Sequence, residues 1–450
     1  MMKPQRKNKI DLTQGSVPQK LFTLGGPMVV GMISVLGFNL TDAYFISLLG
    51  TKELAAVSYT FPISSMVFAV VFGLGLATNS LVSRSIGASN DEEARTFTTH
   101  SISFSLLLAA VFVALGLATM DFVFGWMGAK DEILLLVKKY MVVWYAGMIF
   151  VSVPIVGNHA IRATGDTVFP ALIMVFAALA NGLFDYMLIF GRWGAPEMGI
   201  QGAAVASVLA RFFTLIASLL ILHFRERMID WSRLFSGGIL ASWKVIVQIT
   251  AASSANNLIL PLSMAIVTKM LAHYGEYAVA AYGVVSKIEN FVLIPMSAGA
   301  FGMAPLVGQS WGSGQKQRVW EAFQWMFRFC MVYGAIIGIL FYFWGEVTVQ
   351  FFDRTPELVR LGTAYLQWVP WSYAMEGVLI FCNISFNALG KPVISLKFTS
   401  LRMFILYIPL AYLLSRGLHM NAIGIFIACS IANLISGMGA FHYAKYRVIR

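Results

Sequence analysis

Charge is what this sequence has least of. Only 12% of its 450 residues are Asp, Glu, Lys or Arg, against 58% hydrophobic, where an ordinary soluble domain carries about 25% charged residues. A chain so poor in charge cannot cover a water-exposed surface of its own size, and a mean hydropathy of +0.75 places it among membrane proteins. Cysteine is scarce too. Cys330, Cys382 and Cys429 lie in apolar stretches without metal-ligand spacing, which speaks against a disulfide framework or a zinc site and for buried packing. Segments of about ten residues with alternating polarity are missing, so the strands of a membrane barrel are not expected. No nucleophile elbow, phosphate loop or metal cluster is visible, and an enzyme is not expected.

What the chain has in abundance is long apolar runs. Twelve recur along its length, at about 21–48, 55–82, 98–126, 133–158, 168–190, 199–223, 243–272, 278–308, 320–350, 358–386, 393–416 and 420–444. Each is long enough as a helix to cross a hydrocarbon core of roughly 30 Å. The first run is too long for a signal-peptide core and has no small-residue cleavage site, so it reads as the first helix itself.

A formal charge of +11 invites a nucleic-acid reading, but the basic residues fall where topology demands them. Lys3, Arg6, Lys7, Lys9 and Lys20 precede the first span, Arg225, Arg227, Arg233 and Lys244 lie between the sixth and seventh, and Lys445, Arg447 and Arg450 follow the last. The opposite side carries mainly Lys52, Lys130, Lys138, Lys139, Arg192, Arg354 and Arg416. Positive-inside asymmetry then predicts both termini in the cytoplasm and no nucleic-acid partner.

The chain repeats itself at a shift of 225 residues. Gly50 falls on Gly275, LVSRSIG from Leu81 on LVGQSWG from Leu306, Tyr140 on Tyr365, Asn158 on Asn383 and Gly165 on Gly390; near the end the shift slips to 222, placing Gly202 on Gly424. Six spans per half is an even number, so both halves enter the membrane in one orientation. The expected fold is an all-α integral membrane protein whose two six-helix bundles are related by a pseudo-two-fold axis along the membrane normal, as in some secondary transporters. The predicted organisation is an N-terminal lobe over 1–222, a cytoplasmic linker over 223–243 and a C-terminal lobe over 244–450, with a binding cavity between the lobes. Prolines inside the spans, Pro27 and Pro154 among them, mark candidate bend points.

A charged group at mid-bilayer costs about 2.5–3.5 kcal/mol on insertion scales, so each one inside a span is a functional candidate. Asp42 stands out, about fifteen residues and roughly 22 Å beyond Pro27 along the first helix, although a carboxylate near the outer interface is the plainer alternative. Asp185 follows Asn181 by four residues in NGLFDY, so the two share one helix face. Ser207 can supply a hydroxyl to that group or serve as packing material at a tight crossing. At the shift of 225, Asp42 meets Val267 and Asp185 meets Leu410, so acidic chemistry is expected mainly in the first half. Glu376 in the tenth span is a second-half candidate, while Lys287 and Glu289 lie on different helix faces and read as structural neutralisation. Arg211 and Arg402 are expected to bond to carbonyls or acids. A desolvated carboxylate can take a proton on one side and release it on the other, and the same oxygens suit a dehydrated Na⁺ at Asp42, Asn181 and Asp185. Acids among aromatic and methionine side chains favour lipophilic cations; Tyr44, Met264, Met296, Met303 and Glu376 are the candidate cavity residues.

GGPMVVG around Pro27, the Thr41–Asp42 step followed by LLGTKELAAVS, SLVSRSIGASND from Ser80, RATGDT from Arg162, NGLFDY from Asn181, GIQGAAVAS from Gly199 and PLVGQSWGSG from Pro305 together resemble the MATE (multidrug and toxic compound extrusion) family, within it the DinF-like branch. The resemblance covers nearly the whole chain. It implies two six-helix bundles forming a V around a central cavity, and an antiporter exchanging drugs for H⁺ or Na⁺ by rocker-switch motion. It implies Asp42 as the coupling residue, Asn181, Asp185 and Ser207 as its hydrogen-bond network, and Pro27 as the point where the first helix bends. One departure stands out: NorM-like members carry a glutamate in the seventh helix, but here that span reads NNLILPLSMAIVTKM without an acid.

The expected function is therefore secondary active efflux of lipophilic, often cationic, drugs and toxic organic cations in exchange for H⁺, with Na⁺ as the alternative ion. No cofactor is expected, and the protein is expected to act as a monomer in the bilayer of the bacterial inner membrane. A lipid-linked precursor flippase of related architecture is the rival reading, resting on Lys269, Lys287 and Arg211.

Overall fold

The computed structural model describes residues 10–235 and 238–449. Lys3, Arg6, Lys7, Lys9 and Arg450 of the charge pattern, and part of the linker, lie outside the described residues. Within them the chain is helical and has no strand. The first half comprises α1 (Val17–Ser47), α2 (Thr51–Gly87), α3 (Asp91–Trp126), α4 (Asp131–Ala146), α5 (Met148–Ala163), α6 (Val168–Phe190) and α7 (Gly199–Leu220). The second comprises α8 (Ile239–Ala272), α9 (Glu276–Val292), α10 (Ile294–Gly312), α11 (Lys316–Gln350), α12 (Pro356–Trp368), α13 (Tyr373–Ala388), α14 (Pro392–Ser400), α15 (Ile408–Tyr412) and α16 (Asn421–Tyr443).

Among the described residues nine helices are long and apolar enough to cross a membrane, and eleven spans result when the bent pairs α4–α5 (49°) and α9–α10 (43°) are each taken as one. The tenth predicted span is α12 and α13, joined by a 3₁₀ turn at Pro370–Ser372. All twelve predicted spans are thus helical, but three are in two pieces. The reasons are local. Proline lacks an N–H and clashes with the preceding turn, so Pro295 and Pro370 begin new helical segments. The third break is at Gly147, which ends α4 and starts α5; a Cβ there would lie 2.3 Å from Val208 Cγ2. By contrast Pro27, Pro62, Pro154, Pro261 and Pro305 lie inside unbroken helices.

The duplication is visible in backbone detail. Gly165 and Gly390 both turn at positive φ, 96° and 74°, and so do Ser89 and Gly314, at 58° and 78°. A Cβ on Gly202 would lie 2.5 Å from the carbonyl oxygen of Leu188, and one on Gly424 would lie 2.7 Å from the carbonyl carbon of Leu414. Each half therefore uses one glycine to bring the backbones of its last two spans together. In lipid, where apolar surface gains nothing from leaving water, such close packing and interhelical hydrogen bonds hold helices together.

The chain divides into two compact units, one built on Pro27–Ser254 and the other on Leu12–Gly26 with Ala255–Arg450. In the first, Phe124, Trp144, Tyr145 and Met141 form one buried cluster and Leu74, Val82, Ile161 and Ile246 another, with α2 running through both. Asn90 caps α3, its side chain accepting from Glu93 N–H (3.1 Å) and donating to the Glu93 carboxylate (3.2 Å), a reciprocal pairing that satisfies the helix start. The segment after α7 is docked on the same unit: Asp230 N–H donates to Thr99 (3.0 Å), Arg95 to the carbonyl of Arg227 (3.0 Å), and Arg233 pairs with Glu92 (3.2 Å). In the second unit, Arg318 donates to three carbonyls of the chain's start, those of Leu12 (2.9 Å), Gln14 (2.9 Å) and Gly15 (2.8 Å). Five N–H groups in a planar fork suit such a multiple grip, and Leu12 and Val17 are buried beneath it.

Candidate functional site

Four helices of the first unit bring polar side chains together in an apolar surround. Asp42 comes from α1, Tyr140 from α4, Asn181 and Asp185 from α6, and Ser207 and Arg211 from α7. Asn181–Asp185 and Ser207–Arg211 are both four residues apart, so each pair occupies one helix face. The α6 and α7 faces meet where Asn181 Nδ2 donates to Ser207 Oγ at 3.4 Å. α1 approaches α6 closely at the same level, because a Cβ on Gly182 would lie 3.1 Å from Thr41 Cγ2. Asp42, next along α1, is within electrostatic reach of Arg211 and Asp185, and Tyr140 of all three charged groups.

The acceptors in this group outnumber the donors. Asn181 and Asp185 are fully buried, and Asp42 is half-buried with its Oδ1 shielded. Asp42 Oδ1, Asn181 Oδ1 and both carboxylate oxygens of Asp185 receive no hydrogen bond from any described residue. Arg211, close enough to Asp42 for the two charges to interact, bonds to none of these oxygens: its guanidinium lies over the rings of Phe38 (5.3 Å) and Phe68 (5.1 Å), within the roughly 6 Å of a cation–π contact, and its Nε has no hydrogen-bond partner among the described residues. Leaving a buried acceptor unmatched costs about 1–3 kcal/mol, more for a charged group. Protons on the carboxyls or a desolvated cation match these four oxygens, which gives the cluster its chemistry.

The second unit also buries acids, but partners them. Glu376 of α13 pairs with Arg402 (3.0 Å) and accepts from Asn433 (3.2 Å), which also donates to Ser372 (3.0 Å). Arg402 stands on a π-helical stretch, Leu401–Tyr407. Glu289 of α9 accepts from the Tyr365 hydroxyl at 2.6 Å and interacts with Glu376. The pairing of Glu376 with Arg402 joins residues that no local spacing connects. Glu289, read from sequence as structural neutralisation beside Lys287, is tied to Tyr365, while Lys287 is exposed.

The remaining candidates are dispersed. Tyr44 is exposed and Met264 lies at the surface of its helix. Met296 and Met303 are fully buried in the second unit, Met296 under Gly377 and Met303 accepting from Ser385 Oγ at 3.8 Å. Pro27 is half-buried within the unbroken α1. Tyr140 was not legible as a site residue, although its place opposite Tyr365 in the duplication singles it out. Arg211 carried a signal in its four-residue spacing from Ser207.

Comparison with known proteins agrees with the architecture. The MatE family model matches residues 27–187 and 252–413, two copies offset by the internal repeat. A relative named as an FAD transporter in Shewanella oneidensis is 31% identical over 98% of this chain and 97% of its own. The multidrug export protein MepA of Staphylococcus saprophyticus is 21% identical over 84% of this chain and 83% of its own. Among solved structures, the Vibrio cholerae MATE transporter VcmN in its bent form is 26% identical and superposes with a TM-score of 0.90 over 97% of this chain and 98% of that one. The multi-pass helical chain therefore belongs to the MATE family and is a membrane transporter rather than an enzyme.

Proposed function

We propose that the protein is a cation-coupled exporter of small molecules in the bacterial inner membrane, working by alternating access, with both termini in the cytoplasm and one chain as the working unit. The observation that carries the coupling is the group of unmatched acceptors in the first unit: Asp42, Asn181 and Asp185 offer four buried oxygens that receive no hydrogen bond from any described residue. Such a group binds and releases a cation at little structural expense, because no protein hydrogen bond has to break. We take H⁺ as the ion, loaded on Asp42 and Asp185, with Na⁺ at the same oxygens as the alternative; Ser207 orients Asn181, and Pro27 is the bend point of α1. This is the arrangement expected of the DinF-like branch.

In the first reading the cargo is a lipophilic small molecule. Multidrug relatives favour drugs and toxic organic cations, with Tyr44, Met264, Met296, Met303 and Glu376 as candidate contacts. The similarity to a relative named as an FAD transporter, extending over nearly the whole chain, favours a second reading in which the cargo is a flavin dinucleotide. The flippase reading rests on Lys269, Lys287 and Arg211; Lys269 and Lys287 are exposed in the second unit, and Arg211 is half-buried in the first, over two rings.

Proteoliposomes with separately imposed pH and Na⁺ gradients, loaded with ethidium in one series and FAD in another, test both ion and cargo. H⁺-driven export that Asp42→Asn removes is expected. Equal gradient-driven export by wild type and Asp42→Asn refutes the assignment of coupling to this group.

A further inference from the structure

A crevice of about 340 Å³ opens in the second unit where α8 runs out toward α9 and the helical stretch after α14 runs out toward α16. Its walls include Lys269, Arg416, Tyr412, Tyr274, Ile266 and Met270. Lys269 is in the last turn of α8, and Arg416 stands on a second π-helical stretch, Leu413–Gly417. The Arg416 guanidinium lies 5.2 Å from the centre of the Tyr412 ring. Among the described residues neither Lys269 nor Arg416 forms an ion pair. No acidic side chain is among the residues that line the crevice.

Long cationic side chains at span ends ordinarily snorkel separately into water. These two converge on one crevice from helices far apart in sequence, with a volume in the range of about 300–1,000 Å³ typical of small-molecule sites. Two cations without counter-charge select an anion. Guanidinium offers a planar pair of donors that fits two oxygens of a phosphate, and ammonium adds a point charge. The tyrosine hydroxyls can donate to further oxygens, while Ile266, Met270 and the ring faces form an apolar wall for whatever the phosphate carries.

We propose that this crevice binds a phosphate group attached to an apolar body, the chemistry shared by an anionic phospholipid headgroup and a soluble phosphate ester. Its position at span ends puts it at headgroup level, where a phospholipid has its phosphate. The site is separate from the acid cluster of the first unit and stands or falls independently of the ion and cargo assigned above.

The test is native mass spectrometry of the purified full-length protein titrated with dihexanoyl-phosphatidylglycerol and, separately, with inorganic pyrophosphate. A diacylglycerol of the same chain length serves as the phosphate-free control. Wild type is expected to retain a phosphate-bearing probe at least about tenfold more tightly than K269A/R416A, and Lys269→Arg is expected to bind like wild type. Weakening for phosphatidylglycerol alone assigns the site to lipid; weakening for pyrophosphate as well assigns it to soluble phosphate esters. The single substitution Lys269→Gln, at an exposed position, repeats the measurement if the double variant is poorly folded. The proposal is overturned if wild type binds neither probe, if the variants bind both as wild type does, or if diacylglycerol is lost in parallel.

Discussion

The two halves of this chain bury acids in opposite ways. In the first, three carboxylate oxygens of Asp42 and Asp185 receive no hydrogen bond from any described residue, and the Arg211 guanidinium lies over two phenylalanine rings. In the second, Glu376 is held by Arg402 and Asn433, and Glu289 by Tyr365. The duplication makes the contrast sharper, because related positions carry the difference. Tyr140 corresponds to Tyr365, which donates to Glu289, yet the Tyr140 hydroxyl donates to no described residue. At the shift of 222, Arg211 corresponds to Asn433 and Ser207 to Cys429. One scaffold thus holds acids that protein donors reach and acids that none reach. A buried ion pair is a structural element that is expensive to disturb, whereas buried carboxylates without donors are suited to exchanging a cation.

Substitutions can break that contrast from either side, and the largest effect is expected where partners are missing. Asp42→Asn should reduce gradient-driven efflux to background in vesicles while leaving the melting temperature of the purified protein close to wild type. Asp185→Asn should impair efflux in the same direction. In the second half the expected loss is of stability: Arg402→Met strands Glu376, and breaking a buried pair costs about 3–5 kcal/mol, read as a lower thermal midpoint in detergent. The double variant E376Q/R402M should regain part of that loss, since both charges leave together.

The paired tyrosines offer a finer comparison. Tyr365→Phe removes a 2.6 Å hydrogen bond to a carboxylate, and hydrogen bonds to charged groups are worth about 1.5–3 kcal/mol. Tyr140→Phe removes no such bond and should change the thermal midpoint less. Equal shifts would erase the distinction between the halves. The smallest effect is expected outside the membrane, at Asp230 in the docked linker. The Ser232 hydroxyl, 2.6 Å away, and the Ser232 N–H hold this carboxyl below the usual carboxylate range. With its value depressed in the folded protein, its contribution is present above the ordinary carboxylate value and is lost as pH falls through the depressed one. Asp230→Asn should cost no more than about 1 kcal/mol, measurable as faster proteolytic nicking near Asp230 at neutral pH.

Much of this was legible in the sequence. Span number and helical character follow from length and hydropathy, and the Asn181–Asp185 face from a spacing of four. The matched turns at Gly165 and Gly390 follow from the repeat. The break at Pro370 is marked by its proline, a candidate bend point; the one at Gly147 was not apparent, because apolar composition continues through it and hydropathy registers no bend. Nor were the partners of Glu376 apparent, since a pairing across helices depends on tertiary register that no local period encodes. The same holds for Arg318, which grips carbonyls about 300 residues away, a contact with no side-chain signature at the accepting end. What marks the proposed coupling cluster is a lack of partners, and only the structure reveals which oxygens are left without donors.

The central claim is that the cation exchanged for cargo resides on the first-half acids. The most direct measurement is proton release when ethidium or FAD is added to weakly buffered, detergent-solubilised protein, with and without Na⁺, comparing wild type, Asp42→Asn and Glu376→Gln. The account predicts release from wild type and from Glu376→Gln, and none from Asp42→Asn. Release that persists in Asp42→Asn and disappears in Glu376→Gln would contradict it and move the coupling site to the second half.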